Sequence, residues 1–449
     1  YTPASSNAPS GFSATHKAFR VSISASTFFV PLCPMGQTGT KKLETDIQTR
    51  NDLCVTQNPY GEFDLTGIYT ETQSKGGRNV LQNWVTHPVN NIQTLHYRIE
   101  SIRAGGIPSF EIDGNTLDFI EYYLNYNEPS PTTVLGVLSY YQWLKNKLQK
   151  NPWNYIKSRG CLYLCELIRE LRQISSPIEE SAQPDIIKQT LRMIRSYVDS
   201  NVFASIPNRE TRLTCYEIDQ FDYIFRNRGK IAVQGILDIV YELDAFRSAH
   251  QIAKEKGFCY PELHSGDTEL VIHNFFHPAL PQAVRNDWHL EEKHINIFTG
   301  SNMAGKSTTL KALSSVIWLA HAGLPVPATY MRCPVYKGIF TSINLPDSLK
   351  RGESHFYAEV LRIKSILEKV KEEDAYFIVF DELFRGTNAR DAYEASVIVL
   401  NLLKKYPQSK FLLSTHIIEL AEAFYTEKTC QFNYMESEIK DDRFLCSYR

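Results

Sequence analysis

One stretch of this sequence has the residue types and spacing to hold phosphates. His294-Ile-Asn-Ile-Phe-Thr299 reads as a buried strand, and Gly300-Ser301-Asn302-Met303-Ala304-Gly305-Lys306-Ser307 follows it directly. The pattern is GxxxxGK[ST], and each part has a physical reason. Gly300 and Gly305 allow tight backbone turns, so that successive amide N–H groups face one anion. A helix opening after Lys306, with Ser307 and Thr308 in its first turn, adds the positive end of its dipole. The Lys306 ammonium can reach the β- and γ-phosphates of a nucleotide, and the Ser307 hydroxyl can ligand Mg²⁺. The expected ligands are ATP and Mg²⁺.

A hydrolytic site also needs carboxylates, and the sequence supplies a pair. Tyr376-Phe-Ile-Val-Phe380 is a continuous apolar run, as a strand covered on both faces would be, and it ends in Asp381-Glu382. At the carboxyl end of such a strand, Asp381 is expected to hold Mg²⁺ and Glu382 to orient or deprotonate the attacking water. Phe411-Leu-Leu-Ser-Thr-His416 is a further buried strand, with His416 placed to sense the γ-phosphate. Lys350-Arg-Gly-Glu-Ser-His-Phe356 is a polar loop opening a helix. Ser354 is a natural N-cap there, and capping alone would explain it.

The elements that position these residues follow from periodicity. From Leu270 onward short apolar strands (Ile295 to Thr299, Phe377 to Phe380, Phe411 to Ser414) alternate with helical patterns. Those helices are expected at Ser307 to Ala322, Ser354 to Lys371 and Ala392 to Lys405. Such alternation predicts an α/β layer with a mostly parallel sheet. Residues from about 115 to 257 instead show helical spacing throughout. They end in a long amphipathic segment, Gly229 to Lys256, with Gly257 fitting its C-terminal cap. The expected class is α plus α/β: an irregular tail over 1–50, a helical domain over 51–262 and a P-loop ATPase domain over 263–449. The last is expected to continue past Arg449.

Composition bounds the partners. Lys and Arg number 48 against 50 Asp and Glu, for a net charge of −2, so a nucleic-acid partner must meet a local basic patch. No run reaches the roughly 18 apolar residues of a membrane span, and no signal-peptide pattern opens the chain. The nine cysteines form no CxxC pair. Cys161 and Cys165 are expected in a buried core, reduced, in a cytoplasmic compartment.

Taken together, the motifs resemble those of the MutS family of DNA mismatch-repair ATPases. Thr299 to Thr309, with Asn302-Met303 inside the loop, is similar to that family's phosphate loop. Asp381 to Asp391 resembles its acidic strand and Arg-Gly-Thr turn, Ser414 to Leu420 its histidine switch, and Asp347 to Phe356 its signature loop. Upstream, Thr72 to Arg98 resembles the opening of the family's core domain, Tyr241 to Pro261 its lever helix, and His277-Pro278 the element before its nucleotide site. The resemblance implies an ABC-type ATPase domain behind a core and lever domain. It also implies roles for Asn302, Lys306, Ser307, Asp381, Glu382 and His416 in hydrolysis, and a homodimer in which Ser354 reaches the partner's γ-phosphate. DNA, mismatched or branched, is the implied partner, with a nucleoid location if the source is bacterial. The family's mismatch-reading and connector domains have no counterpart here, and Glu353-Ser354-His355 stands where the family commonly has Arg-Ser-Thr. Two other roles therefore stay open: a family member acting on recombination intermediates or stalled ribosomes, and a nucleotide-binding scaffold with negligible turnover.

Overall fold

The buried apolar runs of the C-terminal half become the strands of one sheet, and their order sets the site. In the computed structural model described here, residues 41–448 are described apart from 57–62, 108–109, 111–112, 129–135, 149–150, 177–183, 208–212, 267, 281, 291–292, 301–304, 344–354, 386 and 441–442. Helices come first: α1 (Ile47–Asp52), α2 (Lys75–Thr86), α3 (Ile92–Arg103), α4 (Gly114–Leu124), α5 (Gly136–Leu148), α6 (Trp153–Ser175), α7 (Asp185–Val198), α8 (Cys215–Tyr223) and α9 (Lys230–Lys256). Gly257 closes α9 in the left-handed conformation, at φ 66°. Strands then alternate with helices: β1 (Glu262–His264), β2 (Leu270–Phe275), β3 (Asn286–Leu290), β4 (Ile295–Gly300), α10 (Lys306–Ala322), β5 (Tyr330–Pro334) and β6 (Gly338–Ser342). The order continues through α11 (His355–Leu367), β7 (Tyr376–Phe380), α12 (Ala389–Leu403), β8 (Lys410–Ser414), α13 (Ile418–Phe424), β9 (Cys430–Lys440) and β10 (Arg443–Tyr448).

Six strands form the main sheet in the order β10-β9-β4-β8-β7-β6, parallel everywhere except the β9–β10 hairpin. Every residue of β6, β7 and β8 is buried, which is what helices on both faces of a parallel sheet require. This is the α/β layer expected from the sequence, and its three central strands fall within a residue of the expected runs. A second sheet, β1-β5-β2-β3, is mixed.

The P-loop helix joins the two parts of the chain. From Ala312 to Ala322 every residue of α10 is buried, and one apolar core runs from Leu43 through the helices to Met435. Trp318 Nε1–H donates to Val85 O of α2 at 2.9 Å, and Arg98 Nη1–H of α3 donates to Ala322 O at 2.8 Å. At the end of α10, Gly323 takes φ 76°, and a Cβ there would lie 2.8 Å from Arg98 Cδ. On α9, buried Asp244 accepts hydrogen bonds from the N–H groups of Gln73 and Ser74 and from the Ser74 hydroxyl, tying the start of α2 to the long helix.

The irregular tail expected over residues 1–50 gives way earlier than that. From Lys41 the chain is built into the fold, with a bridge between Glu44 and Gly338 and with α1 lying against β6. Asp46 caps α1 and pairs with Arg362 of α11 at 2.6 Å, while Asp52 accepts from the Thr341 hydroxyl at 2.7 Å. A six-residue helix is too short to leave a readable period, and its polar anchors find partners only in three dimensions. Cys161 and Cys165 are buried in the helical core, where burial raises both thiols well above their ordinary range, Cys165 to about 12. Among the described residues no helix is long and apolar enough to cross a membrane.

Candidate functional site

The carboxyl ends of β4, β8 and β7 lie side by side, so the three motifs meet at one edge of the sheet. Phe298 is in register with Ser414, and Phe380 with Leu413. Strand β8 stands between the loop strand and the acidic strand, and its last residues bridge them. Gly300 ends β4 at φ 147°, where a Cβ would meet Met435 O of β9 at 2.9 Å. Gly305 begins α10 at φ 85°. Both glycines thus occupy conformations that other residues rarely adopt.

Lys306 is buried, and its Nζ donates to Gly300 O at 2.7 Å, so the ammonium stands at the carboxyl end of β4. Ser307, on the first turn of α10, lies close enough to Asp381 for its hydroxyl to favour the ionised carboxylate. Ser414 Oγ donates to Asp381 Oδ1 at 2.5 Å and accepts the Glu382 N–H at 2.7 Å. Burial raises the Asp381 carboxyl above its ordinary value. The hydrogen bonds from Ser307 and Ser414 oppose that rise, Glu382 adds to it, and Lys311 opposes it. A desolvated carboxylate beside a serine hydroxyl is a hard oxygen pair, the donor set that suits Mg²⁺.

Glu382 sits at φ 50° and Phe384 at φ 61°, left-handed backbone at two residues that are not glycine. Such strain persists only where the surroundings hold it. Here the Phe384 ring is buried against Phe356 of α11, with centroids 5.2 Å apart, and Glu382 Oε2 pairs with Arg385 Nη1 at 3.2 Å. His416 is exposed just past β8, beside Thr415, whose N–H donates to Phe298 O at 2.9 Å.

The structure therefore brings Gly300, Gly305, Lys306, Ser307, Asp381 and Glu382 to one edge, with Thr308 exposed on the first turn of α10. Ser301, Asn302, Met303, Ala304 and Ser354 lie outside the described residues. Two features escaped the sequence reading. Ser414, which links Asp381 to the Glu382 backbone, stood in the sequence as a strand end and the first residue of the histidine-switch motif, with no role of its own. The other is a cavity of about 150 Å³ against Gly305, Thr308 and Ala312, walled by Phe276, His277 and Val284. Burial, helped by Lys311, lowers His277 to about 4, so its ring is neutral at neutral pH.

Comparison with known proteins agrees with this geometry. Residues 296–449 match the family model of MutS domain V. The chain is 35% identical over 214 residues to the DNA mismatch repair protein MutS of Aquifex pyrophilus, covering 46% of this chain and 25% of that protein. It is 31% identical over 255 residues to the protein of the same name from Lachnoclostridium phytofermentans, covering 53% and 27%. The matched part spans about a quarter of the length of these relatives. Domain V is the ATPase domain of that family, and over its C-terminal half this chain is a partial MutS-like protein.

Proposed function

We propose that the chain binds ATP with Mg²⁺ and hydrolyses it to ADP and phosphate, as a MutS-like ATPase whose nucleotide state governs its hold on DNA in mismatch repair or a related transaction. One observation carries the reading: the hydrogen-bonded run Asp381–Ser414–Glu382, with Ser307 of α10 beside Asp381, inside the part that matches MutS domain V.

In this reading the amide groups from Gly300 to Thr308 cradle the phosphates, Ser301, Asn302, Met303 and Ala304 included. Lys306 exchanges the Gly300 carbonyl for the β- and γ-phosphates. Ser307 and Asp381 hold Mg²⁺, which when bound neutralises charge on the same phosphates. Glu382 orients the attacking water and takes its proton, its backbone fixed by Ser414 and its carboxylate released from Arg385. His416 senses the γ-phosphate from the end of β8. The cavity beside neutral His277 takes the base. A second copy supplies Ser354, so the working form is a homodimer.

Lys306→Ala tests the loop. The substituted chain is expected to lose affinity for a fluorescent ATP analogue, because the phosphates lose their main cation. Unchanged affinity would take Gly300 to Ser307 out of the mechanism.

A further inference from the structure

A net charge of −2 hides an uneven distribution. Residues 129–165 contain Lys145, Lys147, Lys150, Lys157 and Arg159 and no Asp or Glu, together with four tyrosines and two tryptophans. Among the described residues of this stretch, Lys157 is absorbed by Asp219 at 2.5 Å, nearly out of water. Lys145, Lys147 and Arg159 are exposed.

The rings around these cations are exposed too. On α5, Tyr140 and Tyr141 are 59% and 63% exposed, and on α6 Tyr155 is 63% exposed. The helix is not loose: Ser139 is buried, Trp143 O accepts a hydrogen bond from Asn154 at 2.9 Å, and α5 packs on α6 and α8. Its other face is turned to water. There Tyr140 lies nearly parallel to Trp143, 6.0 Å between centroids, and the Lys147 ammonium stands 4.8 Å over the Trp143 ring. The pattern continues on α6, where Arg159 lies 5.2 Å over Tyr163 and Phe119 of α4 touches both Tyr155 and Tyr163 edge-on.

Flat rings in water beside cations, on a stretch of chain with no carboxylate of its own and with Glu166 the acidic neighbour of Arg159, suit a polyanion whose units carry their own rings. We propose that the face formed by Tyr140, Tyr141, Lys145 and Lys147 of α5, with Tyr155 and Arg159 of α6, binds single-stranded or unpaired segments of nucleic acid. The tyrosines stack on bases and the cations follow the backbone. This rests on the reading of a nucleic-acid partner and gives that partner a place on the helical part, away from the ATPase edge. A second copy fits poorly, because the face would meet its own positive charge. A bilayer surface would use a single amphipathic helix, through Val137, Leu144 and Leu148, whereas here rings and cations spread over neighbouring helices.

The test uses the full chain and a fluorescent oligothymidylate of about 20 nucleotides, followed by anisotropy at several salt concentrations. Two double variants, Tyr140→Ala with Tyr141→Ala and Lys145→Glu with Lys147→Glu, change only exposed side chains, so melting temperatures should stay close to the parent's. The tyrosine variant is expected to bind about tenfold more weakly with its salt slope kept. The lysine variant should bind more weakly with a shallower slope. Parent-like binding by both variants would overturn the proposal. So would a parent chain that ignores the oligonucleotide but sediments with phosphatidylglycerol vesicles. Affinity for a fluorescent ATP analogue, measured alongside, should not change in either variant. If the parent itself fails to bind that analogue, the ATPase reading falls while the oligonucleotide result stands by itself.

Discussion

At the scale of single residues, Ser414 is the side chain on which the geometry of the site turns. Its hydroxyl spends its proton on Asp381 and its lone pair on the Glu382 N–H, so one oxygen sets both the carboxylate expected to hold Mg²⁺ and the turn expected to hold the base. That turn needs support, because Glu382 and Phe384 both lie in the left-handed region. Ser414→Ala is expected to leave ATP affinity near the parent's, since Lys306 and the loop are untouched. Single-turnover hydrolysis should fall roughly tenfold, the scale of one lost hydrogen bond to a charged group. Quenched-flow measurement of phosphate release checks this, and parent-like hydrolysis would reduce Ser414 to a strand-end serine.

At the scale of elements, α10 carries the site at one end and the helical part at the other. His321, fully buried near its C-terminus, shows how closely that junction is specified. Its Nε2 accepts the Tyr336 N–H at 2.9 Å and its Nδ1 faces Ile317 O at 2.8 Å, so the ring is neutral with the proton on Nδ1. Burial lowers its pKa from 6.5 to about 4. The folded value lies below the unfolded one, so its contribution to stability is present above pH 6.5 and is lost as pH falls toward 4. The loss should reach about 3 kcal/mol. Denaturant titrations across that range should show this decline in the parent and a shallower one in His321→Asn, which starts less stable. Equal slopes would mean that other groups govern the acid side.

The elements also show what could be read in advance. Strands β4, β7 and β8 were legible because burial on both faces writes an unbroken apolar run, and α9 because a left-handed glycine ends its long period. The placing of Gly300, Asp381 and Glu382 at the carboxyl ends of β4 and β7 was legible with them. Helix α1 and the strands of the smaller sheet were not, since three to six residues seldom reveal a period. The place of β8 between β4 and β7 was equally hidden. Strand order is decided by crossovers, and without it Ser414 could not be seen to join the two motifs.

At the scale of the whole molecule, the proposed homodimer makes hydrolysis depend on two chains. If Ser354 completes the site of a partner, hydrolysis per chain should rise with protein concentration. A Ser354→Ala chain mixed with a Lys306→Ala chain should then recover activity that neither has alone, because one composite site keeps its own Lys306 and receives an intact Ser354. Sedimentation should show the mixture associating. An associated mixture as inactive as its parents would leave Ser354 as a helix cap.

If this sheet edge hydrolyses ATP with Glu382 as the proton acceptor, Glu382→Ala should separate binding from hydrolysis. Single-turnover hydrolysis should be measured beside equilibrium binding of ATP in the same preparation. ATP should still bind, because Lys306 and the loop are intact, while hydrolysis slows by roughly 10²-fold or more. Retained turnover with retained binding would contradict that role for Glu382 and move the search for the base to His416.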